Sequence, residues 1–389
     1  MLPTMNRRQF LGWTAAGFCG VTLGAAFWRD VFAQPAVPGP SPYGPISDIP
    51  DENGLRLPVG FSSRVIARTG KLVPRTTHLW HPLPDGGACF PMADGGWAYT
   101  SNSEVPLAGG ASMIRFDAAG QIVDARRILA GTSVNCAGGP TPWGTWLSCE
   151  EWDGGRVWEC YLDGRLAEPR PALGIFTHEA AAVDPARQAV YLTEDEENGR
   201  FYRFLPDFWP SLVSGRLYAA RVKWDNPSEL AGDVRWHQVT ADFSARLSAS
   251  FDNTTVFDGG EGCWYDGGLV YFATKGDNRV LVYDDARRRL EVIHDPAVHP
   301  DSPLSGVDNV TVSKSRDIYV AEDGGNMQLC LITPERVVAL FLELEGHDRS
   351  EITGPAFNPA GDRLYFSSQR GFNNEGIGMT FEVHGPFRG

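Results

Sequence analysis

The sequence is sparing with cysteine and with positive charge. Its 389 residues include only 7 Cys, widely spread and with no CxxC pair, which excludes a small scaffold stapled by disulfides. Lys and Arg total 34 against 48 Asp and Glu, a net charge of −14, so a nucleic-acid partner is disfavoured. No long stretch repeats apolar residues at helical spacing. No serine lies in a G-x-S-x-G context that would mark a nucleophile elbow. The one apolar run, near the N-terminus, is brief and broken by Gly17, Gly20 and Gly24, too short for a stable membrane anchor.

That run sits in "MNRRQFLGWTAAGFCGVTLGAAFWRDVFAQPA". Arg7 and Arg8 precede Phe10 and Leu11, and small Ala33 marks a cleavage site. The pattern is that of a twin-arginine export signal over residues 1–33, with a periplasmic or extracellular destination and the twin-arginine machinery as a partner. Cys19 follows Gly17-Phe18 and lacks the small residue a lipidation site needs just before it. Removing 1–33 takes three Arg and one Asp, leaving 31 − 47 = −16. Proteins exported this way cross already folded, so the six remaining cysteines need not pair. Cys149, Cys160 and Cys330 read as small buried hydrophobes.

Residues 34–58 are rich in Pro and Gly and read as a linker without packed structure. From 59 to 389 the chain reads as one domain of short strands and Gly/Asp turns. A unit recurs in it, an apolar strand led by an aromatic and ending in polar or acidic residues. The aligned aromatics are Tyr99, Trp146, Tyr191, Tyr271, Tyr319 and Tyr365, at spacings of 47, 45, 80, 48 and 46. Repeats of this length with several strands each indicate a β-propeller. The expected fold is therefore all-β, a six-bladed propeller with one inter-blade insertion at about 205–250, and a monomer.

In a propeller, equivalent positions of the blades converge on one axis. Ten to twelve residues before the aromatics stand Cys89, Cys136, Glu179, Glu261, Asp308 and the turn Thr353-Gly354-Pro355. At the far end of the aligned strands come Glu104, Glu150 with Glu151, Glu194 with Asp195, Glu322 with Asp323, and Arg370. If both sets share one end, a dozen acidic groups crowd one site. Two like charges 4 Å apart repel by about 4 kcal/mol at an effective dielectric of about 20, and cations are the natural relief. Carboxylate cages suit Ca²⁺, and a thiolate among them favours a transition metal such as iron. Cys136 and Glu150 thus read as ligands from one blade. His178, beside Glu179, is a candidate general acid.

The stretches "NCAGGPTPWGTWLSCEEW", "FTHEAAAVD", "YLTEDEENGRFYRFLP", "FDGGEGCWYDGGLVYFATKGDNRV", "VAEDGG" and "MTFEVHGPF" together resemble PhoX-type alkaline phosphatases and their shorter relatives, from about residue 85 to the C-terminus. The resemblance implies a six-bladed propeller with two irons and three calciums at the channel mouth, hydrolysing phosphomonoesters. Carried over, Cys136 would be an iron ligand, and Glu150, Glu179 and Glu194 would hold iron or calcium; Glu261, Asp308 and Glu322 extend the set. In "LSGVDNVTV", Gly306 stands where the resembling enzymes carry an arginine that holds the substrate phosphate, which leaves that task to Lys275 or Arg370. Two other classes fit the same residues: a binding or scaffold propeller stabilised by calcium, and a lactonase-like hydrolase with one catalytic Ca²⁺.

Overall fold

Short apolar stretches separated by Asp and Gly turns dictate antiparallel meanders. In the turn after Phe116, Asp117 Oδ1 accepts hydrogen bonds from the backbone N–H groups of Ala119 and Gln121. Asp184 and Asp284 tie their own turns by the same device. The computed structural model describes residues 34–240, 251–323, 325–372 and 376–389. The expected export signal, 1–33, and the end of the expected insertion, 241–250, lie outside the described residues.

Among the described residues there is no α-helix, the 3₁₀ turn at Pro171–Leu173 is short, and the sheets stand in a propeller-like arrangement. Their innermost strands are Pro84–Pro91, Asn135–Pro140, His178–Asp184, Gly260–Asp266, Val307–Val312 and Ile352–Phe357. Each touches the next, and the last touches the first. The sheets number five, not the six separate blades expected. The insertion explains the difference: its strand Ala231–Val239 pairs on one side with Gly215–Trp224 and on the other with Arg289–Glu291. The meanders starting at His178 and at Gly260 are thereby joined in one nine-stranded sheet.

The aligned aromatics are all at most 1 % exposed and fill the space between neighbouring meanders, each contributing roughly 1.5–3 kcal/mol through burial. Tyr99 of one sheet stacks on Tyr365 of the next, centroids 5.0 Å apart. The last sheet is completed by a strand from far upstream, Ser62–Arg68, paired antiparallel with Met379–His384.

Residues 34–58 depart from the linker expectation. Val37–Pro38 pairs parallel and Leu55–Arg56 antiparallel with strand Val337–Leu344, and Ala36, Leu55 and Leu57 are buried. The Pro and Gly content misleads because this segment covers an open sheet edge, which needs only a few backbone hydrogen bonds.

Candidate metal centre

Every innermost strand carries a β-bulge near its start, after the first residue in five strands and after the second, Thr353, in the last. A bulge leaves a residue out of the ladder and re-aims its side chain. The first residue of each bulge is, in turn, Asp85, Cys136, Glu179, Glu261, Asp308 and Gly354. Cys136, Glu179, Glu261 and Asp308 therefore stand in equivalent positions, as expected. In the first sheet the position belongs to Asp85, whereas Cys89 packs against a hydrophobic cluster. Gly354 has φ +59, and a Cβ there would lie 2.7 Å from the Asp85 carbonyl oxygen, so this strand can offer no side chain.

Below the bulges the strands approach until backbone meets backbone; a Cβ on Gly86 would stand 2.4 Å from the Ala137 Cα. The space left on the axis, lined by residues such as Gly86, Ala137, Ala180, Gly262 and Asn309, is about 20 Å³, room for about one water molecule. Buried amides lock the floor. Asn102 Nδ2 donates to the carbonyls of Cys136 and Ala137 at 3.0 and 2.7 Å, and its Oδ1 accepts from Trp146 Nε1 at 2.9 Å. Asn309 Oδ1 accepts from the Gly354 N–H at 2.6 Å, while its Nδ2 donates to Asp308 Oδ1 at 2.8 Å.

The second row of groups comes from the residue that follows each second strand: Glu104, Glu151, Asp195, Lys275, Asp323 and Gln369. Both rows meet at one end of the channel. Three groups of ligand atoms, each within 4.8 Å of one another, result: Cys136–Glu151–Glu179, Asp85–Glu104–Glu351, and Glu179–Glu261–Asp308.

Glu150, Glu194 and Glu322 belong to none of the three groups. Each is the last residue of its strand and serves a loop. Glu150 accepts from the N–H groups of Ser133 and Arg156 at 2.9 and 3.2 Å, and Glu194 from Tyr202 Oη at 2.7 Å and the Arg200 N–H at 3.1 Å. Glu322 accepts from the N–H groups of Ser305 and Gly306 at 2.6 and 3.2 Å. Successive strand residues face opposite ways, so the side chain one residue further on reaches the mouth. His178 also turns away from the acid role expected for it. Its ring lies on Phe176, centroids 3.6 Å apart, and Nε2 pairs with the Gly174 carbonyl. Burial lowers its pKa to about 3, leaving a neutral imidazole.

Burial also raises the pKa of the clustered acids, and their mutual repulsion adds to it. Asp85, Cys136, Glu179 and Asp308 are pushed well above their usual values, Glu151 and Glu351 to about 10 and Glu261 to about 7. Lys275 Nζ lies 2.5 Å from Asp195 Oδ2 and 2.7 Å from Glu261 Oε1, and Arg370 Nη2 lies 3.0 Å from Glu351 Oε1. Burial opposes the lysine's charge, but Glu261 and Asp195 more than offset it and raise its pKa. Glu179 Oε2 is buried without a hydrogen-bond partner, while Oε1 faces Cys136 Sγ at 3.4 Å. A buried carboxylate that leaves one oxygen unpaired and belongs to two ligand groups fits cation binding better than it fits a structural role. Asp85, Glu104 and Glu351, unlisted among the ligands expected from the resemblance, offer oxygen donors only. At Gly306 a Cβ would lie 2.9 Å from the Asp323 carbonyl oxygen, so a side chain there would require the loop to shift.

A family profile for alkaline phosphatase PhoX matches residues 92–161 and 163–292. No curated protein matches the chain. Among solved structures, the fold is similar to that of PhoX from Pseudomonas fluorescens in complex with vanadate, a transition-state analogue. That likeness has TM-score 0.69 and 18 % identity and covers 91 % of this chain and 97 % of that one. A gluconolactonase from Xanthomonas campestris is similar at TM-score 0.52 and 12 % identity, over 91 % of this chain and 98 % of that one. At such identities the two structures speak to fold alone.

Proposed function

Since the chain belongs to the alkaline phosphatase PhoX family, we propose that it is an exported, metal-dependent phosphoric-ester hydrolase acting on small phosphomonoesters at the acidic channel mouth. The observation that carries this reading is the convergence of three ligand groups at one end of the axis, two of them sharing Glu179. In this reading the nine-stranded sheet counts as two blades fused by the inserted strand, so the propeller has six.

Cys136, Glu151 and Glu179 combine a thiol with carboxylates and would hold iron. Asp85, Glu104 and Glu351, like Glu261 and Asp308 around Glu179, offer oxygen alone and would hold calcium. The cations, when bound, supply the positive charge that neutralises a phosphate dianion and stabilises its in-line transition state. The protein's own residues do the rest. Glu150, Glu194 and Glu322 fix the loops that carry the second row of ligands, and Asn102 and Asn309 hold the floor rigid. The closed floor restricts substrate and water to one side. Arg370, with over a third of its side chain exposed and anchored by Glu351, would hold a phosphate oxygen by a charge-assisted hydrogen bond. Lys275 is already engaged by two carboxylates, and Gly306 lacks the arginine side chain of the resembling enzymes.

Arg7 and Arg8 support export by the twin-arginine machinery with the cations loaded beforehand, and the protein would act in the periplasm or outside the cell as a monomer. Cys136 in a ligand group argues for the phosphatase over a lactonase or a calcium-stabilised scaffold, neither of which has use for a thiol. The test is elemental analysis of the exported protein with turnover of p-nitrophenyl phosphate, wild type against Cys136→Ala. Iron and calcium in the wild type, with iron and turnover lost together in the variant, is the expected result. Calcium without iron, unchanged by the substitution, would move the assignment to a lactonase or a scaffold.

A further inference from the structure

Equivalent positions of a repeat invite comparison, and the row that follows the second strands has one member of opposite charge. Glu104, Glu151, Asp195 and Asp323 are acidic and Gln369 is neutral, but Lys275 is a cation. Its Nζ lies between Asp195 Oδ2 and Glu261 Oε1, at 2.5 and 2.7 Å. These two carboxylates come from neighbouring meanders, one from the second row and one from the bulge row. Their side chains are 11 % and 5 % exposed, so little water screens them. The backbone is shaped for the lysine stem: Gly259 has φ +63, and a Cβ there would stand 2.7 Å from Lys275 Cγ and 3.3 Å from Asp195 Oδ1. A side chain at 259 would contest the space the stem fills.

We propose that Lys275 is a built-in counter-cation that takes the place of one divalent ion between Asp195 and Glu261, and so sets the metal complement of the mouth. An ammonium is a compact point charge with three donors; it pairs with two carboxylates without needing the six or more ligands that calcium requires. Asp195 is correspondingly absent from all three ligand groups. Lys275 is thus a positioning residue that fixes Glu261 beside Glu179, not a group that touches substrate. The inference rests on the metal-dependent reading of the mouth.

The test compares wild type, Lys275→Gln and Lys275→Arg by elemental analysis after dialysis against calcium, together with melting temperature as calcium is added. Lys275→Gln is expected to bind one more divalent ion per chain than wild type and to gain melting temperature with added calcium. Lys275→Arg should keep the wild-type content. An unchanged content in Lys275→Gln would overturn the inference while leaving the metal-dependent reading intact, whereas metal-free wild type would overturn that reading itself. Asp195→Asn supplies a second readout should Lys275→Gln not fold: an unchanged metal content is expected, and loss of one ion would show Asp195 to be a ligand and overturn the inference.

Discussion

Glu150 and Glu151 are neighbours in sequence with opposite occupations. Glu150 closes its strand and spends both oxygens on backbone N–H groups of the flanking loops; Glu151 joins Cys136 and Glu179 in a ligand group. Glu194 with Asp195, and Glu322 with Asp323, divide in the same way, one member serving the loop and the other the second row. The difference is one step of the two-residue strand period, which sends one carboxylate into the scaffold and the next to the mouth. Identical side chains therefore acquire different chemistry from the place where the strand ends.

The sharpest way to break this contrast is to remove the carboxylate that two ligand groups share. Glu179→Gln is expected to lower kcat/KM for p-nitrophenyl phosphate by roughly 10³-fold or more, since several kcal/mol of charge stabilisation depends on the cations it helps hold. Metal content should fall with it; a variant that keeps both would detach Glu179 from the site.

The paired variants Glu151→Gln and Glu150→Gln test the division directly. Glu151→Gln should release iron with little change in the melting temperature of the chelated protein. Glu150→Gln should keep its metal but lose about 1–3 kcal/mol of stability as loop donors lose a charged acceptor. Thermal melts read beside elemental analysis distinguish the two, and the reverse pattern would reassign them.

Proton linkage gives a third contrast, between metal-free and loaded protein. Glu151 and Glu351 have pKa values raised from 4.5 to about 10, and Glu261 to about 7. Between pH 4.5 and these values the folded chelated protein binds more protons than the unfolded chain, so its stability is greatest at low pH and falls as pH rises. The melting temperature of chelated protein should drop between pH 5 and pH 9, by most up to about pH 7 for the Glu261 share, and added cations should restore it at pH 9. A flat profile would mean that these carboxylates are not crowded. The smallest effect is expected at the rim: Arg370→Gln should raise KM roughly ten- to a hundredfold through the loss of one charge-assisted hydrogen bond worth about 1.5–3 kcal/mol, with metal content unchanged.

Much of this frame is legible in the sequence. The aligned aromatics carry the repeat because each must fill the gap between two meanders, and the positions of Cys136, Glu179, Glu261 and Asp308 follow from that register. Asp85 escapes it because it stands 14 residues before Tyr99 (99 − 85): the first inner strand, Pro84–Pro91, is longer than its equivalents. The choice of Glu150 over Glu151 fails for a subtler reason, since a face can be assigned only once the strand's last residue is known. Glu351 is hidden because the last meander has glycine at the bulge and supplies its carboxylate from the loop just ahead of the strand. The joining of two meanders into one sheet rests on a hairpin whose partner strand lies more than fifty residues downstream, beyond any local pattern.

The strand Ser62–Arg68, which completes the last sheet against Met379–His384, closes the ring by joining segments more than three hundred residues apart. The group Asp85–Glu104–Glu351 straddles the same seam, drawing two ligands from the first meander and one from the approach to the last. A cation held across that seam would act as a clasp, fastening together two segments that stand far apart along the chain.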